Sequence, residues 1–223
     1  MFIKTLTLGC NDLVKQARFY EEVLKLKVTQ TKDSIEVQAG LTRLKFIQQD
    51  KVAAYHYCFL IPSNKIAEAE AWINTALFAD ENEDIIFDLP SWNAHNIYFY
   101  DGDGNLAEFI VHYDLENTTT TPFDESQILQ VCEIGIPSND LQNIIPSLEK
   151  LELDLFRGSL DRFAAYGDPQ GLFILVNNTV KKTWFPSEIF PQGVAFDAVV
   201  DSKDHRYNVN FDGKLLSVEE SLT

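Results

Sequence analysis

The sequence predicts a mixed α+β protein built from repeated β-α-β-β-β modules, whose strands form cupped mixed sheets. Three observations carry that expectation. An alternating strand, a helical stretch and three more alternating strands follow one another twice within residues 1–113. The same order starts again after residue 127. The run Asp101-Gly-Asp-Gly-Asn105 supplies tight-turn chemistry between two apolar strands, with Gly102 and Gly104 tolerating positive φ.

Each element follows from its local pattern. Ile3 to Cys10 alternates as a strand, and Asn11 or Asp12 can cap a helix over Leu13 to Leu24, with Leu13, Ala17, Tyr20 and Leu24 apolar. Residues 26–30, 34–38 and 42–48 then alternate as strands. The second copy begins at Tyr55 to Ile61. A helix follows from about Lys65 to Leu77, with Ile66, Ala69, Trp72 and Ile73 on one face, and strands at 85–89, 96–100 and 106–112 complete it. Asp114 to Gln127, with Asn117-Thr-Thr-Thr-Thr-Pro122, reads as a linker. A third copy runs from Val131 through a helix at 141–151 to strands at 153–156, 163–166 and 172–176. The tail adds two candidate strands, 194–200 and 205–211, without a helix to complete a fourth module.

The expected organisation is therefore a two-module unit over 1–113 closing into one cup, a linker over 114–127, and a third module with C-terminal strands over 128–223. An odd module leaves an open sheet edge. That predicts a homodimer, or tail strands that close the edge within the chain.

Composition narrows the function. A net charge of −16, with 18 Lys and Arg against 34 Asp and Glu, argues against binding nucleic acid through phosphates. No apolar run approaches a membrane span, and Met1 to Leu8 reads as a strand, not a signal sequence. Three cysteines, Cys10, Cys58 and Cys132, lie in or beside predicted strands at spacings unlike a zinc site, which fits reduced buried thiols in a cytoplasmic protein.

Glu108 is a carboxylate in an apolar strand, among Leu106, Phe109 and Ile110. A charge so placed needs a cation or a metal. Arg43 or Lys45 would serve if either faced inward. His56 shares a strand face with Cys58 and Leu60. His112 shares a face with Glu108, but about 13 Å along the strand, too far to hold the same ion.

Two stretches, Tyr98 to Ile110 around the Asp-Gly-Asp-Gly-Asn turn and Phe19-Tyr-Glu-Glu-Val-Leu-Lys-Leu, resemble the vicinal oxygen chelate superfamily, which includes glyoxalase I, bleomycin-resistance proteins and extradiol dioxygenases. Lys25 stands where that family usually has glycine. The resemblance implies a cupped sheet with metal ligands on the first strand of each module and the last strand of the second. Those positions are Thr5, His56 and Glu108, and a threonine hydroxyl is a poor ligand. Glu133 is the first-strand equivalent in the third module, whereas Ile174 stands where its ligand glutamate would fall, so that copy reads as structural.

The resemblance thus implies a divalent metal (Fe, Mn, Ni, Co or Zn) on His56, Glu108 and Glu133, with Glu108 catalytic. Thr5, Cys58, His95 and Tyr98 would line the substrate pocket. His95 lies in the aromatic and polar loop Ser91 to Asn96, and Tyr98 belongs to an inward-facing aromatic subset. Two functions follow. One is a small-molecule metalloenzyme, a lyase, isomerase or dioxygenase in which the metal chelates vicinal oxygens. The other is a metal-free binding protein that sequesters a small molecule.

Overall fold

The computed structural model describes residues 1–221. Module 1 comprises β1 (Phe2–Cys10), α1 (Leu13–Arg18), β2 (Val28–Gln30), β3 (Ser34–Ala39) and β4 (Thr42–Gln48). Module 2 comprises β5 (His56–Leu60), α2 (Ile66–Trp72), β6 (Phe87–Leu89), β7 (Ala94–Tyr100) and β8 (Leu106–His112). Module 3 comprises β9 (Gln130–Ser138), α3 (Ile145–Lys150), β10 (Leu155–Ser159), β11 (Phe163–Asp168) and β12 (Gly171–Asn177). The tail is an all-strand unit of β13 (Phe196–Ser202), β14 (His205–Phe211) and β15 (Leu216–Glu220). Its third strand was not expected from the sequence.

The described strands form two mixed sheets, in the orders β15-β14-β13-β1-β4-β3-β2 and β10-β11-β12-β9-β5-β8-β7-β6. Residues 1–113 therefore do not close into one cup. Module 1 joins the tail through antiparallel β1 and β13, and module 2 joins module 3 through antiparallel β5 and β9. Burial explains the choice of partners. β5 and β9 are buried on both faces along their whole length, whereas β1 and β13 alternate buried with more exposed positions. Pairing like with like keeps one sheet's second face in solvent and the other's enclosed. The tail does close an edge within the chain, but it is the edge of β1.

The helices are shorter than their patterns suggested. α1 is capped by Asp12, whose carboxylate accepts from Val14 N at 3.1 Å and Lys15 N at 3.0 Å. It then widens into a π-turn over Phe19–Val23, and Lys25 turns the chain at φ 55°. One continuous core joins the apolar backs of both sheets to the helices, through residues such as Leu6, Phe46, Phe59 and Phe109. Thr42 stitches the sheets: its hydroxyl donates to Ile3 O at 2.7 Å and accepts from Val131 N at 3.0 Å.

The Asp101 to Asn105 turn bolts module 1 to module 2. Asp101 is buried and accepts from Gln16 Nε2 at 2.6 Å, Tyr57 Oη at 2.6 Å and Asn105 Nδ2 at 2.8 Å, besides the amides of Asp103 and Asn105. Asp103 in turn accepts from the amides of Asn11 and Asp12. Burial raises the Asp101 pKa, and the hydrogen bonds from Tyr57, Asn105 and Gln16 oppose that rise. Among the described residues no helix is long and apolar enough to cross a membrane. All three cysteines are free and buried.

Candidate metal centre and its cavity

Strand register brings the site together. Parallel pairing sets Cys58 opposite Glu108, and antiparallel pairing sets the same Cys58 opposite Glu133. His56 is two residues from Cys58 and shares its face. One ligand atom from each of His56, Glu108 and Glu133 therefore lies within 4.8 Å of the others, and all three residues are buried. His56 Nε2 stands 3.7 Å from Glu108 Oε2.

Hydrogen bonds orient these groups. His56 Nδ1 lies 3.2 Å from Leu106 O. A carbonyl can only accept, so Nδ1 carries the proton and Nε2 keeps its lone pair toward the carboxylates. Asn96 Nδ2 donates to Glu108 Oε1 at 2.7 Å and to Tyr98 Oη at 2.7 Å. Glu133 Oε1 and Asn96 Oδ1 are buried with no hydrogen-bond partner among the described residues.

Electrostatics follow from burial. Removal from water pulls the His56 pKa down to about 4, with the Leu106 carbonyl opposing. Burial lifts Glu108 to about 8, against the hydrogen bonds from Asn96 and Cys58. Glu133 is raised well above the usual carboxylate range, first by burial and then by the neighbouring Glu108. At neutral pH the trio without a cation is a neutral imidazole beside carboxyl groups that retain protons. A divalent cation is the partner that would let both carboxylates ionise. A free imidazole nitrogen and two carboxylates, one with an unsatisfied buried oxygen, form a donor set that fits such an ion.

The trio opens on a cavity of about 160 Å³. Trp92, Tyr98, Phe163 and Ile174 form part of its wall. Lys181, Trp184 and Phe185 reach in from the crossover between β12 and β13. Trp184 packs against His56, with ring centroids 4.7 Å apart and the ring planes tilted by 41°. It fits because residue 135 is glycine: a Cβ there would sit 2.8 Å from Trp184 Cη2 and Cζ2. A larger cleft of about 1040 Å³ beside Met1 is lined by charged residues such as Asp201 and Arg206 and has no such buried trio.

The other expected site residues sort differently. Tyr98 lines the cavity. Thr5 does not: it lies on β1 in the other sheet, paired with Arg43 and Val199. Arg43 is drawn to Glu36 at 3.9 Å, so it is no partner for Glu108. Cys58 is fully buried against Cys132 and Glu133 and does not line the cavity. His95 points to the opposite face of β7 from Asn96 and Tyr98, and its Nδ1 lies 2.8 Å from Tyr113 Oη. His112 stacks on Trp92 outside the trio. Module 3 does contribute a side chain to the trio, contrary to its structural reading, although Ile174 does occupy the position equivalent to Glu108.

Asn96, Lys181 and the role of Trp184 were not anticipated. Alternation from Tyr98 could have found Asn96. The crossover residues carry no periodic signal.

No protein-family model matches the chain, and no characterised protein matches it in sequence. Solved structures do resemble it. One, from Bacillus subtilis subsp. subtilis str. 168 and described as a "putative dioxygenase", has a TM-score of 0.62 at 14% identity, covering 99% of this chain and 84% of that one. Glyoxalase I from Zea mays has a TM-score of 0.53 at 12% identity, covering 99% and 92%. The chain shares the fold of these structures over nearly its whole length.

Proposed function

We propose that this protein is a small-molecule metalloenzyme in which His56, Glu108 and Glu133 hold one divalent cation and the adjoining cavity admits the substrate. The observation that supports it is the convergence of three buried donors from three strands, one with an oxygen that has no partner. When bound, a cation in this set supplies Lewis-acid polarisation of adjacent substrate oxygens.

The chain's own residues supply the rest. The Leu106 carbonyl holds the His56 tautomer, and Asn96 orients Glu108. Glu108 is the candidate catalytic carboxylate, held in place by Asn96 beside the cavity. Trp92, Tyr98 and Trp184 give the cavity largely apolar walls. One imidazole with two carboxylates differs from the two-histidine, one-carboxylate set of ring-cleaving oxygenases. That favours proton-transfer chemistry of the lyase or isomerase kind, and Mn, Fe, Co or Ni over softer ions; Zn is the remaining candidate.

Two observations favour the metal-free alternative, a binding protein that sequesters its ligand. Ile174 occupies the fourth position of the potential donor ring, and Glu108 already has a hydrogen-bond partner in Asn96. Elemental analysis of purified protein, then titration of chelated protein with Mn, Fe, Co, Ni and Zn, separates the two. Stoichiometric binding that is lost in Glu133→Gln supports the enzyme, and wild type that takes up none of these ions refutes it.

A homodimer and a cytoplasmic setting belong to the same reading. The outermost strands β2, β6, β10 and β15 each have one sheet neighbour among the described residues. Free buried thiols suit a reducing compartment. Sedimentation equilibrium tests the dimer.

A further inference from the structure

The crossover between β12 and β13 belongs to no module, yet it closes one side of the cavity. Lys181 on this crossover is half-buried. Burial lowers its pKa, and the charged neighbour that adds to the fall is another cation, Arg162. Among the described residues its ammonium has no ion pair and no hydrogen bond, in a chain of net charge −16. Trp184 is 2% exposed, and its indole N–H is buried without an acceptor.

The sheet wall has the opposite deficit. Glu133 Oε1 and Asn96 Oδ1 are buried acceptors without donors. Buried polar groups left in this way each cost free energy that a ligand can recover. The crossover offers donors without acceptors, and the sheet offers acceptors that a cation or a proton-bearing group would satisfy. Size sets the remaining constraint. A cavity of about 160 Å³ is close to the ~150 Å³ that admits a benzene ring. Trp92, Phe163 and Phe185 give it flat apolar sides.

We infer that the cavity takes a single-ring, flat, monoanionic ligand, with its anionic group against Lys181 Nζ and the Trp184 indole N–H. This deepens the proposed function and rests on the cavity being the substrate site. It assigns specificity to a segment outside the repeated modules. The positive charge of Lys181 selects the acid over its neutral analogue, and the cavity volume selects one ring over two.

The test uses benzoate and benzamide, which match in shape and differ in charge, with 2-naphthoate as the oversized probe. Binding is read by fluorescence of Trp92 and Trp184 in a Trp72→Phe background, since Trp72 packs on Phe123 away from the cavity. Titrations at pH 6.5 are run with chelator and again with excess Mn²⁺. Benzoate should bind about tenfold or more tightly than benzamide, and 2-naphthoate should bind more weakly than benzoate. Lys181→Gln should reduce the benzoate preference to within about twofold, and Lys181→Arg should retain most of it. Circular dichroism checks that both variants are folded.

Equal binding of benzoate and benzamide, a preference that survives Lys181→Gln, or binding of neither would overturn the inference. A preference present in chelator with no stoichiometric metal uptake would sustain the anion site and overturn the metal reading alone. Metal uptake without the preference would do the reverse.

Discussion

Replacing Glu108 by glutamine probes the electrostatics of the site directly. Burial lifts this carboxyl from 4.5 to about 8, whereas in the unfolded chain it ionises near 4.5. Between these values the folded state holds a proton that the unfolded state has released. The stability this proton confers is complete below pH 4.5 and is lost as the pH rises through about 8. Each pH unit across the window is worth ~1.4 kcal/mol, which sets an upper bound of roughly 5 kcal/mol. Water entry and rearrangement around Glu133 reduce the expected value to about 2 kcal/mol. Glutamine is neutral at every pH and still accepts from Asn96. In chelator, wild type and Glu108→Gln should therefore melt close together at pH 5. At pH 8.5 the variant should melt higher by about 4–8 °C. Saturating divalent cation should reverse the order, since a ligand at 100 times its Kd stabilises the form that binds it by about 2.7 kcal/mol. Thermal melts from pH 5 to 9, with and without metal, measure all of this. Melting curves that stay parallel across pH in chelator would refute the buried neutral acid, and no reversal with any cation would refute the metal site.

Three further outcomes follow from the packing. Gly135→Val should expel the Trp184 ring, since the Cβ alone would sit 2.8 Å from it; the expected cost is about 2–4 kcal/mol, with a red-shifted fluorescence spectrum. Asp101→Ala leaves the buried donors of Gln16, Tyr57 and Asn105 without their acceptor, and should cost about 3–5 kcal/mol in urea unfolding while leaving metal uptake by the folded protein unchanged. Thr42→Val removes the hydroxyl shared by Ile3 and Val131, and should lower stability by about 1–3 kcal/mol, with faster amide exchange at Val131.

The modules were legible because each strand and turn is encoded locally. Period-two alternation marked β1, β3 and β4, and the Asp101 to Asn105 run marked a turn that the structure contains. The grouping of His56, Glu108 and Glu133 was expected from the family resemblance, which puts ligands on the first and last strands of the modules, and the structure brings the three together. Partner choice between modules was not. It depends on how the burial of whole strands matches, a property of pairs that no single segment displays. Thr5 was misplaced for that reason alone. His95 was misplaced by one residue of phase: His95 and Tyr98 are three apart and cannot share a strand face. Lys181 and Trp184 reach the cavity from an irregular crossover, where side-chain direction follows no period.

The nested arrangement of the sheets also orders events during synthesis. Every strand of the sheet bearing the trio has been synthesised once Asn177 is made. β1 is among the first strands made, yet its antiparallel neighbour β13 follows roughly 190 residues later, an interval of about 10–40 s at ordinary elongation rates. Through that interval one side of β1 presents open amides and carbonyls to whatever strand comes near. A nascent chain stopped short of Phe196 would carry the trio complete and one side of its oldest strand unmatched, and a second such chain offers the same edge in return.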